Sequence, residues 1–325
     1  EHQPVAQYPV AQQAHVVGDD VGAPLLEGDG LSDLHQRDTA TRGGTHTHLP
    51  VHPGQIPSPQ GERLSLDDQL ERARRVGVER VVSSACEIPD FDPMLEVARA
   101  HEGVRVALAL HPNEAALHAG VAEPSPDGLV PRVRVHHVPL DEALSEVESR
   151  LGDPAVVAVG ESGLDFYRTA QEGRGAQAES FRAHLELARQ AGLPLQIHDR
   201  DAHRETLEVL AEAGAGVPAI VFHCYSGDRE MALALEENGW YASFAGPVTY
   251  PANGGLREAL LALPRELVLV ETDAPYLTPA PYRGCPNASY VISHTVRFIA
   301  DLWEVDEGSA CQQLMANSVR VYGEW

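Results

Sequence analysis

The sequence predicts a TIM-like (β/α)8 barrel with a mobile N-terminal extension. Three observations predict it. Short apolar runs alternate with amphipathic stretches from about residue 43 to the C-terminus, the rhythm of a β/α repeat. Eight such runs can be counted if the weak one at His46 is included, and several end in a histidine or an acid. The Gly-rich dinucleotide turn of the competing doubly wound sheet is missing.

The elements follow in order. Residues 1–42 repeat Gln, His, Gly and Asp around isolated apolar pairs such as Val16-Val17 and Leu25-Leu26. With no period to bury, they read as a disordered extension, and residues 43–325 as the barrel. The first strand carries His46 and His48. Its lead-in, Asp38-Thr39-Ala40-Thr41-Arg42, is polar and Pro50 follows, so a poorly formed strand is expected. Residues 50–60, with four prolines, read as loop. Ser65-Leu66-Asp67-Asp68 starts a helix that Gly77 ends. A strand over 81–85, a helix over 94–100 and a strand over 104–110 ending at His111-Pro112 come next. Residues 120–139, again with four prolines, read as an inserted loop before a helix over 141–150.

The run Val156-Val157-Ala158-Val159-Gly160 is a buried strand that delivers Glu161 at its end. Burying that carboxylate requires a cation or a donor. Helices over 177–190, 203–213, 231–238 and 256–263 then alternate with strands over 193–197, 219–222, 240–245 and 267–270. Three of these strands run into His198, His223 and Glu271-Thr272-Asp273. Helices around 292–302 and 308–319 finish the chain.

Composition narrows the function. The 325 residues hold 43% hydrophobic side chains, ample for one large core. Lys and Arg number 24 against 48 Asp and Glu, a net charge of -24 that disfavours nonspecific adhesion to nucleic acid or anionic membrane. A polyanionic substrate therefore needs metal ions or a local arginine cluster. Cys86, Cys224, Cys285 and Cys311 form no C-x-x-C pair, which suggests reduced thiols. No apolar run approaches the ~18 residues of a membrane span. No secretory pattern opens the chain, and a cytoplasmic location is expected.

In a barrel the C-terminal strand ends converge, which would bring His46, His48, Glu161, His198, His223 and Asp273 into one cavity. His46 and His48, at i and i+2, share a strand face and can reach one metal. Imidazole and carboxylate without thiolate suit divalent zinc, manganese, iron or magnesium, among which the sequence does not choose. Six groups exceed the needs of one tetrahedral ion. Glu161, with two oxygens, is the economical bridge between two ions. Cys224 should point away from His223, into the core.

Six stretches then carry a family resemblance: Thr45-His46-Thr47-His48-Leu49, Ala109-Leu110-His111-Pro112, Val159-Gly160-Glu161-Ser162-Gly163-Leu164-Asp165, Ile197-His198-Asp199-Arg200, Phe222-His223-Cys224-Tyr225-Ser226-Gly227 and Glu271-Thr272-Asp273-Ala274-Pro275-Tyr276-Leu277. From about residue 44 onward the chain resembles the TatD family, metal-dependent deoxyribonucleases of the amidohydrolase superfamily. The resemblance implies a 3′–5′ DNA exonuclease or phosphodiesterase using a two-metal-activated water. One metal would take His46, His48, Glu161 and Asp273; the other would take Glu161, His198 and His223. It also implies that Asp273 orients or deprotonates the water, with Glu161 as its catalytic companion. His111 would lie near the scissile group, and Arg283 and Asn287 would face the substrate, Arg283 binding phosphate. DNA is the expected substrate, with no membrane partner and no organic cofactor; the oligomeric state is open, and a monomer would suffice. Two alternatives stand beside this one. Ester, lactone or aminoacyl-ester cleavage would use the same chemistry, and a catalytically impaired barrel would act as a binding protein, a reading favoured by the weak first strand.

Overall fold

The computed structural model describes residues 42–51 and 54–325. The extension expected over 1–42 lies outside the described residues except for Arg42, which begins the first strand. Eight parallel strands run in sequential order: β1 Arg42–Thr47, β2 Val78–Ala85, β3 Val104–Leu108, β4 Val156–Asp165, β5 Leu195–Arg200, β6 Ile220–Phe222, β7 Tyr241–Phe244 and β8 Val268–Val270. They form a nearly closed barrel. No ladder joins β1 to β8; instead the N–H groups of Thr272 and Asp273 lie 3.3 and 3.4 Å from the His46 carbonyl, and His48 N–H donates to Ala274 O at 2.8 Å.

Among the described residues ten α-helices clothe the strands: α1 Leu66–Arg75, α2 Ile88–Ala100, α3 Pro112–His118, α4 Leu140–Glu148, α5 Arg174–Ala191, α6 His203–Ala213, α7 Arg229–Asn238, α8 Gly254–Ala262, α9 Ile292–Trp303 and α10 Glu307–Tyr322. Ser65 starts α1 with a reciprocal capping box to Asp68. The helix α3 was not expected. Its start is nonetheless written locally, because Pro112 occupies the first turn and His111 Nδ1 accepts the Asn113 N–H. Residues 50–60 contain, within the expected loop, a short strand Ile56–Pro57 paired with Arg63–Leu64. Among the described residues no helix is long and apolar enough to cross a membrane.

The first strand forms, but its pairing is irregular, with register shifts between Arg42 and Gly43 and between Gly44 and Thr47. It is six residues long and pairs in parallel with β2. An apolar lead-in is unnecessary because Gly43 and Gly44 carry no side chain. A Cβ on Gly43 would meet Met315 at 3.4 Å, and one on Gly44 would meet Ile292 at 3.5 Å, so α10 and α9 pack close against the bare backbone.

Strand alternation then decides what enters the barrel. Val82, Ala107, Ala158, Val221 and Leu269 form one buried cluster with Val321 and Tyr322 from the end of α10. Two residues further along the same faces stand Ser84, His223 and Glu271. In β4 the parity changes, since the register to β5 shifts between Val159 and Ser162. That shift lets odd-numbered Glu161 share the face of even-numbered Ala158. Gly160 and Gly163 make it possible. Both have φ values closed to most side chains, 153° and 144°, and a Cβ on either would collide with Gln196 Cβ or His198 O.

Candidate metal centre

Glu161 is 3% exposed, and its two oxygens face different histidine pairs. Oε1 lies 3.2 Å from His48 Nε2 and 3.9 Å from His46 Nε2. Oε2 lies 3.0 Å from His198 Nδ1 and contacts His223 Nε2. Asp273 belongs to the first side, with Oδ1 at 3.6 Å from His46 Nε2 and 3.5 Å from His48 Nε2. Two of the resulting groups, His46–His48–Glu161 and Glu161–His198–His223, each have one ligand atom per residue within 4.8 Å of one another. Nitrogen and carboxylate donors without thiolate fit a borderline or hard divalent ion.

The ring nitrogens turned away from Glu161 are held as metal-ligating histidines require. His48 Nδ1 is 3.2 Å from Ser84 O, so its proton sits there and Nε2 offers a lone pair. Gln196 donates through Nε2 to Thr45 O and Tyr322 Oη, which aims its Oε1 at His46 Nδ1, 3.1 Å away. On the other side the partners are carboxylates. His198 Nε2 is 3.2 Å from Asp165 Oδ2, whereas His223 Nδ1 faces Glu271 Oε1 at 3.4 Å as a charge contact without a hydrogen bond.

These neighbours set the charge states. Burial disfavours the charged form of every group here. For His48 the hydrogen bonds to Asp273 and Glu161 outweigh it and raise the imidazole to about 10. For His198, Asp165 and Glu161 do the same, to about 9. His223 is raised well above its usual range by Glu161 and Glu271, again against burial. His46 goes the other way, to about 3, because burial is joined by repulsion from His223. Despite its burial, Glu161 is held well below the carboxylate range by His223, His198 and His48. Protons on these imidazoles supply the positive charge a metal would bring, so protons and metal compete for the same nitrogens.

The model of the TatD related DNase family matches residues 45–323. The chain belongs to the TatD family. A Mycobacterium tuberculosis relative, named an uncharacterized metal-dependent hydrolase TatD, is 36% identical over 258 residues, 78% of this chain and 89% of its own. A Salmonella typhimurium relative named 3′-5′ ssDNA/RNA exonuclease TatD is 30% identical over 249 residues, 74% of this chain and 86% of its own. In fold, the crystal structure of the TatD homologue YJJV from Escherichia coli superposes with a TM-score of 0.73 at 23% identity, over 89% of this chain and 100% of that one. The chain is thus a metal-dependent hydrolase of the TatD family.

Within this TatD barrel the structure gathers His46, His48, Glu161, His198, His223 and Asp273 at one end. His111 joins them. Its ring lies edge-on to His198 with centroids 4.5 Å apart, and burial beside His198 lowers it to about 4. Arg283 is exposed and stacks on Tyr250, its Cζ 4.5 Å from the ring centroid. A second stack, Arg200 over Tyr167 at 3.8 Å, stands at the ends of β5 and β4.

Asn287 is a correction. It is 2% exposed, and its amide donates to Thr272 O at 2.7 Å and Tyr276 O at 2.5 Å. Both amide hydrogens are spent on backbone, so the residue braces the turn that carries Asp273 and does not face substrate. That turn needs bracing, since Asp273 sits at φ 52°. Cys224 also departs from expectation. It is half-buried at φ 41°, and its N–H donates to Glu271 Oε1 at 2.9 Å.

Sequence reasoning left Asp165, Glu271, Gln196 and Ser84 without roles. Asp165 and Glu271 lay inside quoted motifs, and spacing held the signal for Glu271 and Gln196, two residues before Asp273 and His198 on their strand faces.

Proposed function

We propose that this TatD protein is a 3′–5′ exonuclease on DNA that cleaves phosphodiesters with water activated at two divalent metal ions. The division of Glu161 carries the reading: one oxygen turned to His46 and His48, the other to His198 and His223. His46, His48, Asp273 and Glu161 would hold one ion, and Glu161, His198 and His223 the other. When bound, such ions polarise a phosphoryl oxygen and make water acidic near neutral pH.

The remaining work falls to the chain's own groups. Asp273 is kept ionised, its burial outweighed by His48, so it can accept the proton of the attacking water. His111 is neutral at pH 7. Its Nδ1 accepts the Asn113 N–H, which leaves Nε2 as a donor toward the scissile phosphate or leaving oxygen. Arg283 would hold a phosphate beside the mouth, where the net charge of -24 otherwise repels a polyanion. Arginines stacked on tyrosines suit single strands, because bases stack on rings while guanidinium pairs with backbone phosphate. The name of the Salmonella relative, an exonuclease on single-stranded DNA and RNA, supports the same class. The impaired-barrel alternative is weakened because β1 does form over six residues, although its pairing shifts register twice.

The test is a time course on single-stranded DNA labelled at the 5′ end, beside ester, lactone and aminoacyl-ester substrates, with zinc, manganese or magnesium added. A ladder shortening from the 3′ end is the expected result. Ester turnover with intact DNA would move the assignment to a carboxyl-transfer hydrolase.

A further inference from the structure

Outside the barrel wall, a cavity of about 350 Å³ lies between α5 and α6. Its floor is apolar and comes from Leu164, Phe166 and Val209. Leu164 and Phe166 alternate with Asp165, whose carboxylate points the other way, to His198. The cavity is therefore separate from the Glu161 centre. Arg174, Ala178 and Arg182, spaced by four, line it from one face of α5. Glu205, Glu208 and Glu212 line it from one face of α6.

The charges on these walls are paired, with one exception. Arg182 donates to Glu212 Oε2 at 2.8 Å, and Arg204 holds both Glu208 Oε1, at 2.8 Å, and Glu205. Arg174 has no ion pair or hydrogen bond among the described residues, and its Nε is buried without a partner. In a chain with 48 acids and 24 bases, a guanidinium left unpaired in a cavity with three carboxylates is unexpected. Phe166 stacks on it, with the ring centroid 4.0 Å from Cζ. An orphaned buried donor costs free energy that an acceptor in the cavity would recover.

The walls indicate what such an acceptor belongs to. A planar fork of donors matches a phosphate or carboxylate group. The guanidinium–phenyl stack and the apolar floor suit a flat ring beside that anion. Glu205 and Glu208 keep acceptor capacity for amino groups on the ring, and Gln171 can both donate and accept. The volume falls within the ~300–1,000 Å³ of small-molecule pockets. An anion, a flat ring and an amino group together describe a nucleotide.

We propose that the α5–α6 cavity binds a nucleoside monophosphate with an amino-bearing base, its phosphate on Arg174 and its base over the apolar floor. The choice of a monophosphate, the product an exonuclease releases, rests on the function proposed above; the cavity and its unpaired arginine do not.

The experiment is equilibrium dialysis of the full chain against deoxyadenosine monophosphate, with chelator present so that no metal at Glu161 takes the phosphate. One equivalent bound per chain is expected. Arg174→Ala should weaken binding about 10- to 100-fold, the loss of a charge-assisted contact. Ala178→Leu keeps every charge while filling the cavity, and should weaken binding as well. Deoxyadenosine and inorganic phosphate, each carrying half of the ligand, should compete more weakly than the whole nucleotide. No binding at millimolar nucleotide, affinity unchanged in either variant, or phosphate competing as well as the nucleotide would overturn the proposal. A chain that binds the nucleotide but leaves DNA intact would remove the exonuclease reading and leave this site standing. One that trims DNA without binding the nucleotide would remove this site alone.

Discussion

The two sides of Glu161 are built from similar ligands and different supports. On the β1 side, His46 and His48 lean on neutral groups, the Gln196 amide and the Ser84 hydroxyl and carbonyl. On the β5–β6 side, His198 bonds to the Asp165 carboxylate and His223 faces that of Glu271 at 3.4 Å. A carboxylate behind an imidazole makes it a more basic ligand than an amide does. The strands differ in parallel. β5 buries Leu195, Gln196 and Ile197 between its neighbours, whereas β1 is held by glycine packing and by backbone bonds across the seam. If two ions bind as proposed, the comparison predicts that the β5–β6 side would hold its ion more tightly and the β1 side would exchange its ion more readily.

The largest effect should come from removing the residue both sides share. Glu161→Ala is expected to lower hydrolysis by about 10³-fold or more, the several kcal/mol of charge stabilisation that metal ions supply. It should also reduce bound metal more than His198→Ala or His223→Ala, by elemental analysis; equal losses would mean that Glu161 serves one side only. Next come the supports. Asp165→Asn or Glu271→Gln should weaken metal binding about 10- to 100-fold by chelator competition, with Gln196→Ala doing less. If Gln196→Ala costs as much, the asymmetry between the sides is false.

What the sequence could and could not disclose follows the same division. The α6 bounds, the β5 and β6 runs into His198 and His223, and the Glu161 strand were legible because local period and a terminal polar residue coincide there. β1 was harder to read, because its stability comes from Met315, Ile292 and Thr272, all more than 200 positions away. Asp165 and Glu271 sat in view, but their role depends on which nitrogen of a histidine faces outward, a matter of ring orientation. Asn287 was misread for a related reason: nothing in its spacing tells whether an amide meets substrate or backbone.

Smaller effects refine the picture. Arg283→Ala should raise KM for DNA by roughly 3- to 10-fold, the share of one exposed charge-assisted contact, and leave metal content unchanged. An equal effect on neutral esters would remove phosphate binding from its role. The smallest effect concerns protons. In metal-free protein, His48 and His198 are raised from 6.5 to about 10 and about 9, so their contribution to stability is complete below pH 6.5 and is lost as pH rises through those values. Thermal unfolding of chelated protein should therefore fall by a few degrees between pH 6.5 and 10, while metal-loaded protein stays level. A flat profile for chelated protein would contradict those charge states.

The central claim is that one carboxylate joins two metal positions, and electron paramagnetic resonance of the manganese-loaded chain tests it most directly. Two manganese ions sharing Glu161, about 4 Å apart, should give the broad spectrum of an exchange-coupled pair, and Glu161→Ala should convert it to that of isolated ions. A spectrum of isolated ions in the unchanged chain at full loading, or a coupled spectrum that survives Glu161→Ala, would contradict the account.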